Sequence, residues 1–540
     1  MSLFIRFEKK IVIALLLIMF VLMFSSAVQK SIISDENFYL GYTYLKTNDF
    51  RFDPEQPPLI KELTALPLLF LNLKLTLADE WDEGNEWAFS RRFLFEDNND
   101  KVDLMVMLAR LPVMLLALLL GFFIYLFARK LYGIKSGLFA LFLYSFSPNI
   151  LAHARLATVD FGLVCFSFIS MYFFWRLLGK FDYKNLILFS LFFAFAQMSK
   201  HSALFLFVII IFILLFKIIK TNYKIDYQRS TFFFVVFILI NFFVLLASYG
   251  FNLNDLYNVE ERVKLVSQII YNENVASVIY PFVSIIPIPT QYIVGLNEVI
   301  RHSKTGHKSY LMGKHSMQGW WYYFPVAFLV KVPIAIMLFI VLSLIFFRRV
   351  SYGWFTESFL LSFIIIYFIF FMFNNINIGL RHILPIFPFF FVFVSKIVNY
   401  KKLKWLIGVL SLWYIISSIM IFPHYLSYFN EFVGPNNGHE YLIDSNLDWG
   451  QDVKGLAGWM DNNGVDSLKV RLFGTEDLDW RGINHEQLPC FTDGRISSSL
   501  IAISVNELFD EFNYGCFDYL LEKEPIDKIG YSIWIFDIKE

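Results

Sequence analysis

Charge is what this sequence has least of. Asp, Glu, Lys and Arg make up only 17% of its 540 residues, while 57% are hydrophobic and 19% aromatic, 65 of them phenylalanine. A soluble domain carries about 25% charged residues. So low a charge content argues against a cytosolic enzyme, a nucleic-acid binder or a disordered scaffold. No repeat of fixed period and no low-complexity linker interrupts the chain. No zinc or calcium motif stands out either. What fills the sequence instead are apolar runs of roughly 15 to 25 residues, about the length that crosses 30 Å of hydrocarbon.

These runs predict a polytopic α-helical membrane protein of about eleven spans: 11–28, 104–128, 137–152, 159–178, 185–199, 202–219, 231–249, 324–347, 355–373, 383–398 and 405–422. The short run 185–199 could merge with its neighbour. Basic residues gather in alternate short connections: Arg6, Lys9 and Lys10; Arg129, Lys130 and Lys135; Lys180 and Lys184; Lys217, Lys220, Lys224 and Arg229; Arg348 and Arg349; Lys396, Lys401, Lys402 and Lys404. With eleven spans they share one side, which the positive-inside rule makes the cytoplasm. The first run could be read as a cleavable signal peptide, but the motifs that follow it directly suit a retained helix. Residues 1–422 then form the membrane domain, with long outer loops at about 29–103 and 250–323. Residues 423–540 form an exported tail.

The tail changes character, with 21 acidic against 8 basic side chains from Pro423 onward. A helical pattern at Gln451–Asn462 and strand patterns at Leu468–Phe473, Leu500–Val505 and Tyr531–Ile538 predict a small α/β domain. Cys490 and Cys516 both lie there, where a disulfide is permitted. Cys165 falls inside a span and reads as a small core residue.

Ionisable residues are scarce at mid-depth in the later spans and collect at the expected outer ends: Arg110, Arg155, Asp160, Lys200, His201, Arg381 and His382. As interfacial anchors they would need no site. Their number, with acids interleaved, favours a polar cavity at the membrane surface. Ser34-Asp35-Glu36 follows the first helix, and Asp53-Pro54-Glu55-Gln56-Pro57-Pro58-Leu59-Ile60-Lys61 comes soon after. The Pro-Pro pair stiffens the entry into an interfacial helix over Leu59–Leu73 and could hold Glu55 near Asp35.

Seven segments carry a resemblance, in order along residues 34–460: SDENFYLGYTYLKTNDFRFDPEQPPLIKEL, LARLPVMLLALLLGFFIYLFARKLYG, PNILAHARLATVDFGLVCFSFISMYFFWRL, QMSKHSALF, GHKSYLMGKHSMQGWWYYFPVAFLVKVP, NIGLRHILPIFPF and DSNLDWGQDVKGLAGWM. The chain resembles GT-C glycosyltransferases of the dolichyl-phosphate-mannose–protein mannosyltransferase and aminoarabinose transferase type. The resemblance implies a GT-C-like bundle that moves a sugar from a polyprenyl-phosphate carrier to an acceptor at the outer membrane face. It places a catalytic base on Asp35, with Glu36 beside it, and a second acid on Asp160. The acid before Pro-Pro is Glu55, and His307 matches a loop histidine that approaches the site in some members. Glu55 and His307 are the pair that could hold a divalent metal. Relatives often have Lys or His where this chain has Gln56, so no charged contact carries over there.

The chemistry is reasonable on its own terms. A phosphate monoester leaves without protonation, so one general base within hydrogen-bond reach of the acceptor hydroxyl can suffice. The departing phosphate needs positive partners. Lys200 and Arg381 are the first candidates, Arg110 and Arg155 the next, and Gln56 and Lys61 complete the donor-binding set. Single displacement would invert the anomeric carbon. The expected partners are the lipid-linked donor, a protein or glycolipid acceptor and membrane lipids, with no nucleic acid. Rich use of Phe, Ile, Asn and Lys hints at a bacterial cytoplasmic membrane. Two rivals differ in kind. A transporter or flippase of lipid-linked sugar would need a polar path through the bilayer, which the charge-poor mid-spans oppose. A noncatalytic glycan receptor would leave Asp35, Glu36 and Arg381 without a purpose.

Overall fold

The computed structural model describes residues 2–221, 227–252, 288–490, 499–510 and 515–539, with the side chains of residues 2–6 and 221 excepted. Part of the expected outer loop 250–323, residues 253–287, lies outside the described residues, as does Lys224. The chain is a helical bundle with a small sheet at its C-terminal end. Eight described helices are long and apolar enough to cross a membrane: Phe7–Val28, Asn99–Tyr132, Val159–Gly179, His201–Lys220, Tyr227–Ser248, Trp354–Met372, Leu380–Asn399 and Lys401–Met420. A ninth candidate is the pair Tyr323–Lys331 and Ile334–Ile345, bent by 108°.

Among the described residues eight or nine spans pass by length and composition, so the expected eleven is not confirmed. Two of the shortfalls have visible causes. The run 137–152 becomes a 12-residue helix, Ile134–Ser145, and a second piece, Pro148–His153. Pro148 takes the first position of that second piece, where its missing N–H costs nothing. Twelve residues rise only about 18 Å. The run 185–199 is a 17-residue helix, Tyr183–Ser199, packed between Val159–Gly179 and Tyr227–Ser248. The bend at 332–333 falls where Val332-Pro333 follows Lys331. Lys331 is buried, and its Nζ donates to the Leu426 and Asn446 carbonyls at 2.8 and 2.5 Å.

The segment after the first helix folds around aromatic rings. Phe52 meets Trp81 edge-on at 4.6 Å, Trp81 meets Phe89 at 4.9 Å, and Tyr39, Tyr42 and Tyr44 are buried in the same cluster. The expected interfacial helix is there as Leu59–Ala65 continued by a 3-10 turn, Leu66–Phe70. Its Ile60, Lys61, Thr64 and Ala65 face inward, and Leu66, Leu69 and Phe70 are exposed. Gly41 lets this helix approach helix Phe38–Thr47, because a Cβ there would sit 2.0 Å from the Lys61 carbonyl oxygen.

Seven strands are described. β1 (Ser309–Leu311) and β2 (Lys314–Ser316) form an antiparallel hairpin before the bent pair. β3 (Leu468–Arg471), β4 (His485–Gln487), β5 (Ser499–Ser504), β6 (Asp527–Ile529) and β7 (Ile533–Ile538) form one sheet, in the order β4-β3-β5-β7-β6. β3 runs parallel to β4 and β5; β7 is antiparallel to β5 and β6. Alternation along β7 divides its faces. Ile533 and Ile535 pack on Val453, Leu456 and Met460 of helix Val453–Asn463, while Trp534, Phe536 and Ile538 join the core that continues into the bundle. Cys490 and Cys516 form a disulfide beside this sheet, and Cys165 is a free, buried thiol.

The motif Asp448-Trp449-Gly450-Gln451-Asp452 docks the sheet onto the first helix. Asp452 pairs with Lys30, a buried ion pair, and accepts from Ser532 Oγ at 2.7 Å and Gln451 Nε2 at 3.0 Å. Burial opposes charge on Asp452, yet Lys30 and His424 hold its carboxyl below the usual range.

Candidate active site

Consecutive antiparallel helices bring their charged ends to one end of the bundle. Asp35 follows the first helix, Asp160 opens helix Val159–Gly179, Lys200 caps helix Tyr183–Ser199, and Arg381 opens the segment Leu380–Ile386. These four line one cavity of about 590 Å³, together with Glu55, Gln56, Lys61 and His307.

Arg381 is the hub. Its Nη1 donates to Asp35 Oδ2 at 2.6 Å and to Asp160 Oδ2 at 3.4 Å, so the two carboxylates lie within about 6 Å of each other. Lys200 Nζ donates to Asp160 Oδ1 at 2.7 Å. Two cations thus surround Asp160, whose side chain is only 3% exposed, while Asp35 is 45% exposed toward the cavity. The Arg381 guanidinium lies over the Trp449 ring at 4.2 Å, which fixes its plane. Arg381 Nε has no partner among the described residues, and neither has the buried Gln56 Oε1.

Lys61 closes the loop before it. Its Nζ donates to the Asp53 carbonyl at 2.7 Å and pairs with Asp53 Oδ2 at 2.8 Å, which also accepts from Asn37 Nδ2 at 3.1 Å. Asp53 takes a left-handed backbone conformation, φ 40°. Across the cavity, Glu55 Oε2 is 3.4 Å from His302 Nδ1, and His302 Nε2 is 2.8 Å from His307 Nδ1. Burial, with His302 and Arg381 nearby, pushes the His307 imidazole down to about 4. The two imidazoles share a hydrogen bond instead of converging on one point, and no group of three His, Cys, Asp or Glu among the described residues could hold a metal. Glu55 and His307 both line the cavity, and His302 bonds each of them.

Three sequence candidates lie behind the cavity wall. Glu36, expected beside the base, is enclosed. Its Oε1 accepts from Arg110 Nε and the Ala157 N–H, both at 2.8 Å; Oε2 accepts from Arg110 Nη2 at 2.8 Å and the Ile33 N–H at 3.1 Å. Arg110 spends its other donors on the carbonyls of Ala27, Lys30 and Ser31 at 2.9, 3.0 and 2.6 Å. Arg155 is fully buried and reaches the Ser26 carbonyl at 3.3 Å; burial and Arg110 lower its pKa to about 10. None of the three lines the cavity. They tie the first loop to the helix ends instead of facing a substrate.

The cavity also has residues that sequence reasoning missed. Asp444, Trp449, Phe473, Asn506 and Asp510 line it from the C-terminal region. His302 lines it as well, while His382, already among the charges collected at the expected outer ends, does so as expected; Asp444 appeared only within the segment DSNLDWGQDVKGLAGWM, with no role. No local pattern distinguishes a carboxylate facing a cavity from one facing a neighbour.

Fold and site together define a membrane-embedded helical protein whose charged cavity lies at one end of the bundle, under a small sheet domain. A family model described as dolichyl-phosphate-mannose-protein mannosyltransferase matches residues 105–244, the helices that carry Arg110, Asp160 and Lys200. That agrees with the GT-C resemblance of the motifs. Among solved structures the chain is similar to ArnT from Cupriavidus metallidurans bound to undecaprenyl phosphate, with 12% identity over 97% of each chain and a TM-score of 0.49. It is also similar to AglB from Archaeoglobus fulgidus, in complex with an inhibitory peptide and a dolichol-phosphate, with 12% identity, 91% of this chain and 62% of that one covered, and a TM-score of 0.44. The S. cerevisiae Pmt1-Pmt2 complex bound to the sugar donor matches 47% of this chain and 36% of that one, at 14% identity and a TM-score of 0.34. Among curated proteins, none matches the sequence.

Proposed function

We propose that the protein is an inverting, lipid-carrier-dependent glycosyltransferase that moves a sugar from a polyprenyl-phosphate donor to an acceptor hydroxyl at the outer face of a bacterial cytoplasmic membrane. The observation that carries the reading is one guanidinium, Arg381, held between two carboxylates with Lys200 on the far side of one of them. Asp160 is spoken for by both cations. Asp35 is held by one, at the cavity face, and is the carboxylate that can exchange its partner.

When the donor phosphate enters, Arg381 and Lys200 offer it two positive groups, and Arg381 has a further N–H to give through Nε. Asp35 is then released to accept the proton of the acceptor hydroxyl as that oxygen attacks the anomeric carbon. The phosphate leaves as a monoester, its added charge met by the same two cations. Asp160 keeps Lys200 and Arg381 in place throughout. Gln56 offers an uncharged acceptor atom to a hydroxyl, and Lys61 acts through the Asp53 loop. No step in this reading is assigned to a metal.

The test is sugar transfer by purified protein from radiolabelled polyprenyl-phosphate sugars to a membrane-extract acceptor pool, for wild type and Asp35→Asn. Transfer by wild type that falls at least a hundredfold in the mutant, with donor binding retained, is the expected result. Equal transfer by both removes Asp35 from the chemistry. Movement of the carrier across the bilayer with its sugar intact makes the protein a flippase.

A further inference from the structure

The segment Asp444–Asn446 is fastened to the start of the Arg381 segment. Ser445 Oγ donates to the Ile378 carbonyl at 2.7 Å, and Asn446 Oδ1 accepts the Leu380 N–H at 2.9 Å. Gly379 between them has no room for a side chain, since a Cβ would stand 2.3 Å from Ser445 Oγ. Ser445 and Asn446 thus hold the start of the Arg381 segment, and Asp444 beside them is left to the cavity side.

Asp444 stands at the head of that clamp with a left-handed backbone, φ 57°. A non-glycine residue there is uncommon and costs of order 1 kcal/mol or more, which persists where surrounding contacts enforce it. The contacts come from the sheet domain. Asn506, just after β5, accepts the Asp444 N–H through Oδ1 at 2.8 Å and donates through Nδ2 to the Asp448 carbonyl at 3.0 Å. Its own N–H reaches Asp448 Oδ2 at 3.3 Å. Both polar atoms of the Asn506 side chain thus take part in holding the turn. Asp448 and Asp452 are likewise committed to internal partners.

Asp444 Oδ1 accepts the Ser445 N–H at 2.5 Å, but unlike Asp448 and Asp452 the residue also lines the cavity, with Arg381 and Trp449, and its Oδ2 makes no hydrogen bond among the described residues. Burial pushes it up to about 6, against the pull of Arg381. The sugar of a glycosyl phosphate is one bond from the phosphate oxygen. A phosphate seated on Arg381 therefore brings the ring's hydroxyls to the neighbouring wall. A carboxylate there can accept two hydroxyl protons, the charge-assisted contact that most sharply separates one hydroxyl pattern from another.

Resting on the transferase reading, we infer that Asp444 binds the hydroxyls of the donor sugar and that Asn506 positions it, so that the C-terminal domain reads the sugar while the bundle holds the phosphate.

The experiment measures binding of decaprenyl phosphate and of decaprenyl-phosphate-linked mannose, glucose and arabinose to the full-length protein in detergent. Wild type is compared with Asp444→Asn and Asn506→Ala. Asn tolerates a left-handed backbone as well as Asp does, so D444N keeps the turn. The expected result is a preferred sugar donor that wild type binds more tightly than bare decaprenyl phosphate. That preference falls about tenfold in D444N, the worth of one charged hydrogen bond, and falls also in N506A, while bare decaprenyl phosphate binds all three proteins alike. Equal weakening of donor and bare phosphate makes the segment a support for Arg381 and overturns the inference. An unchanged preference in D444N overturns it too, as does a wild type that binds bare phosphate and no sugar donor better. A wild type that binds none of the four probes overturns the transferase reading itself, and the inference with it.

Discussion

Asp35 and Glu36 are neighbours in sequence with opposite expected responses to losing their charge. Glu36 lies with no side-chain exposure, and four donors converge on its two oxygens: Arg110 Nε and Nη2 and the N–H groups of Ile33 and Ala157. In Glu36→Gln, the new NH2 group meets two of those donors whichever way the amide turns. Arg110 would be left charged and buried against a neutral partner. Removing one member of a buried pair costs about 3–5 kcal/mol. Asp35, nearly half exposed and bound to Arg381 alone among the described residues, has no such cost. In Asp35→Asn, Arg381 keeps Asp160 and the Trp449 face. Loss of a general base costs about 10²–10⁴-fold in rate. Thermal melting in detergent and donor turnover, read side by side, separate the two. E36Q should melt several degrees below wild type, with turnover falling only as folded protein is lost. D35N should melt with wild type and lose turnover per folded molecule. A stable but inactive E36Q, or a D35N that melts as low as E36Q, would refute the assignment of scaffold to one and chemistry to the other.

Arg381→Lys replaces a planar fork by a point charge that cannot reach Asp35, Asp160 and a phosphate together, so kcat/KM should fall at least about tenfold, with a smaller loss of melting temperature. Lys30→Met leaves Asp452 buried without its cation, costing about 3–5 kcal/mol; limited proteolysis should then release the sheet domain, and Lys30→Met with Asp452→Asn should resist the protease better than the single variant. Burial, with Asp53 nearby, pushes the Glu86 carboxyl up to about 7, against Lys61 and the Tyr39 hydroxyl that favour its charge. A raised acid binds its proton more tightly in the folded state, so stability from this group is present at low pH and is lost as pH rises from about 4.5 through 7. Melting of Glu86→Gln measured from pH 5 to 8 should therefore show a shallower decline than wild type, and an identical slope would remove Glu86 as its source.

Hydropathy and charge by themselves determined that the chain enters a membrane, where its charges stand and that a separate acidic tail follows. Those properties are local: an apolar run of given length is legible in any context, and alternating or clustered apolar residues announced β3, β5 and β7. Asp35, Asp160, Lys200 and Arg381 stood out because a charge at a helix end in an otherwise apolar sequence is conspicuous. Tertiary structure alone decided which of those charges face the cavity. Glu36 and Arg110 look like site residues for the same reason as Asp35 and Arg381, yet their donors and acceptors are filled by the carbonyls of Ala27, Lys30 and Ser31 and the N–H groups of Ile33 and Ala157. Likewise the turn at Val332-Pro333 carries a buried Lys331 whose partners, the Leu426 and Asn446 carbonyls, lie far away in sequence. Asp444 became visible only when β5 placed Asn506 against its turn. Hydrogen-bond saturation is a property of neighbours in space, and the order of residues along the chain does not state who those neighbours are.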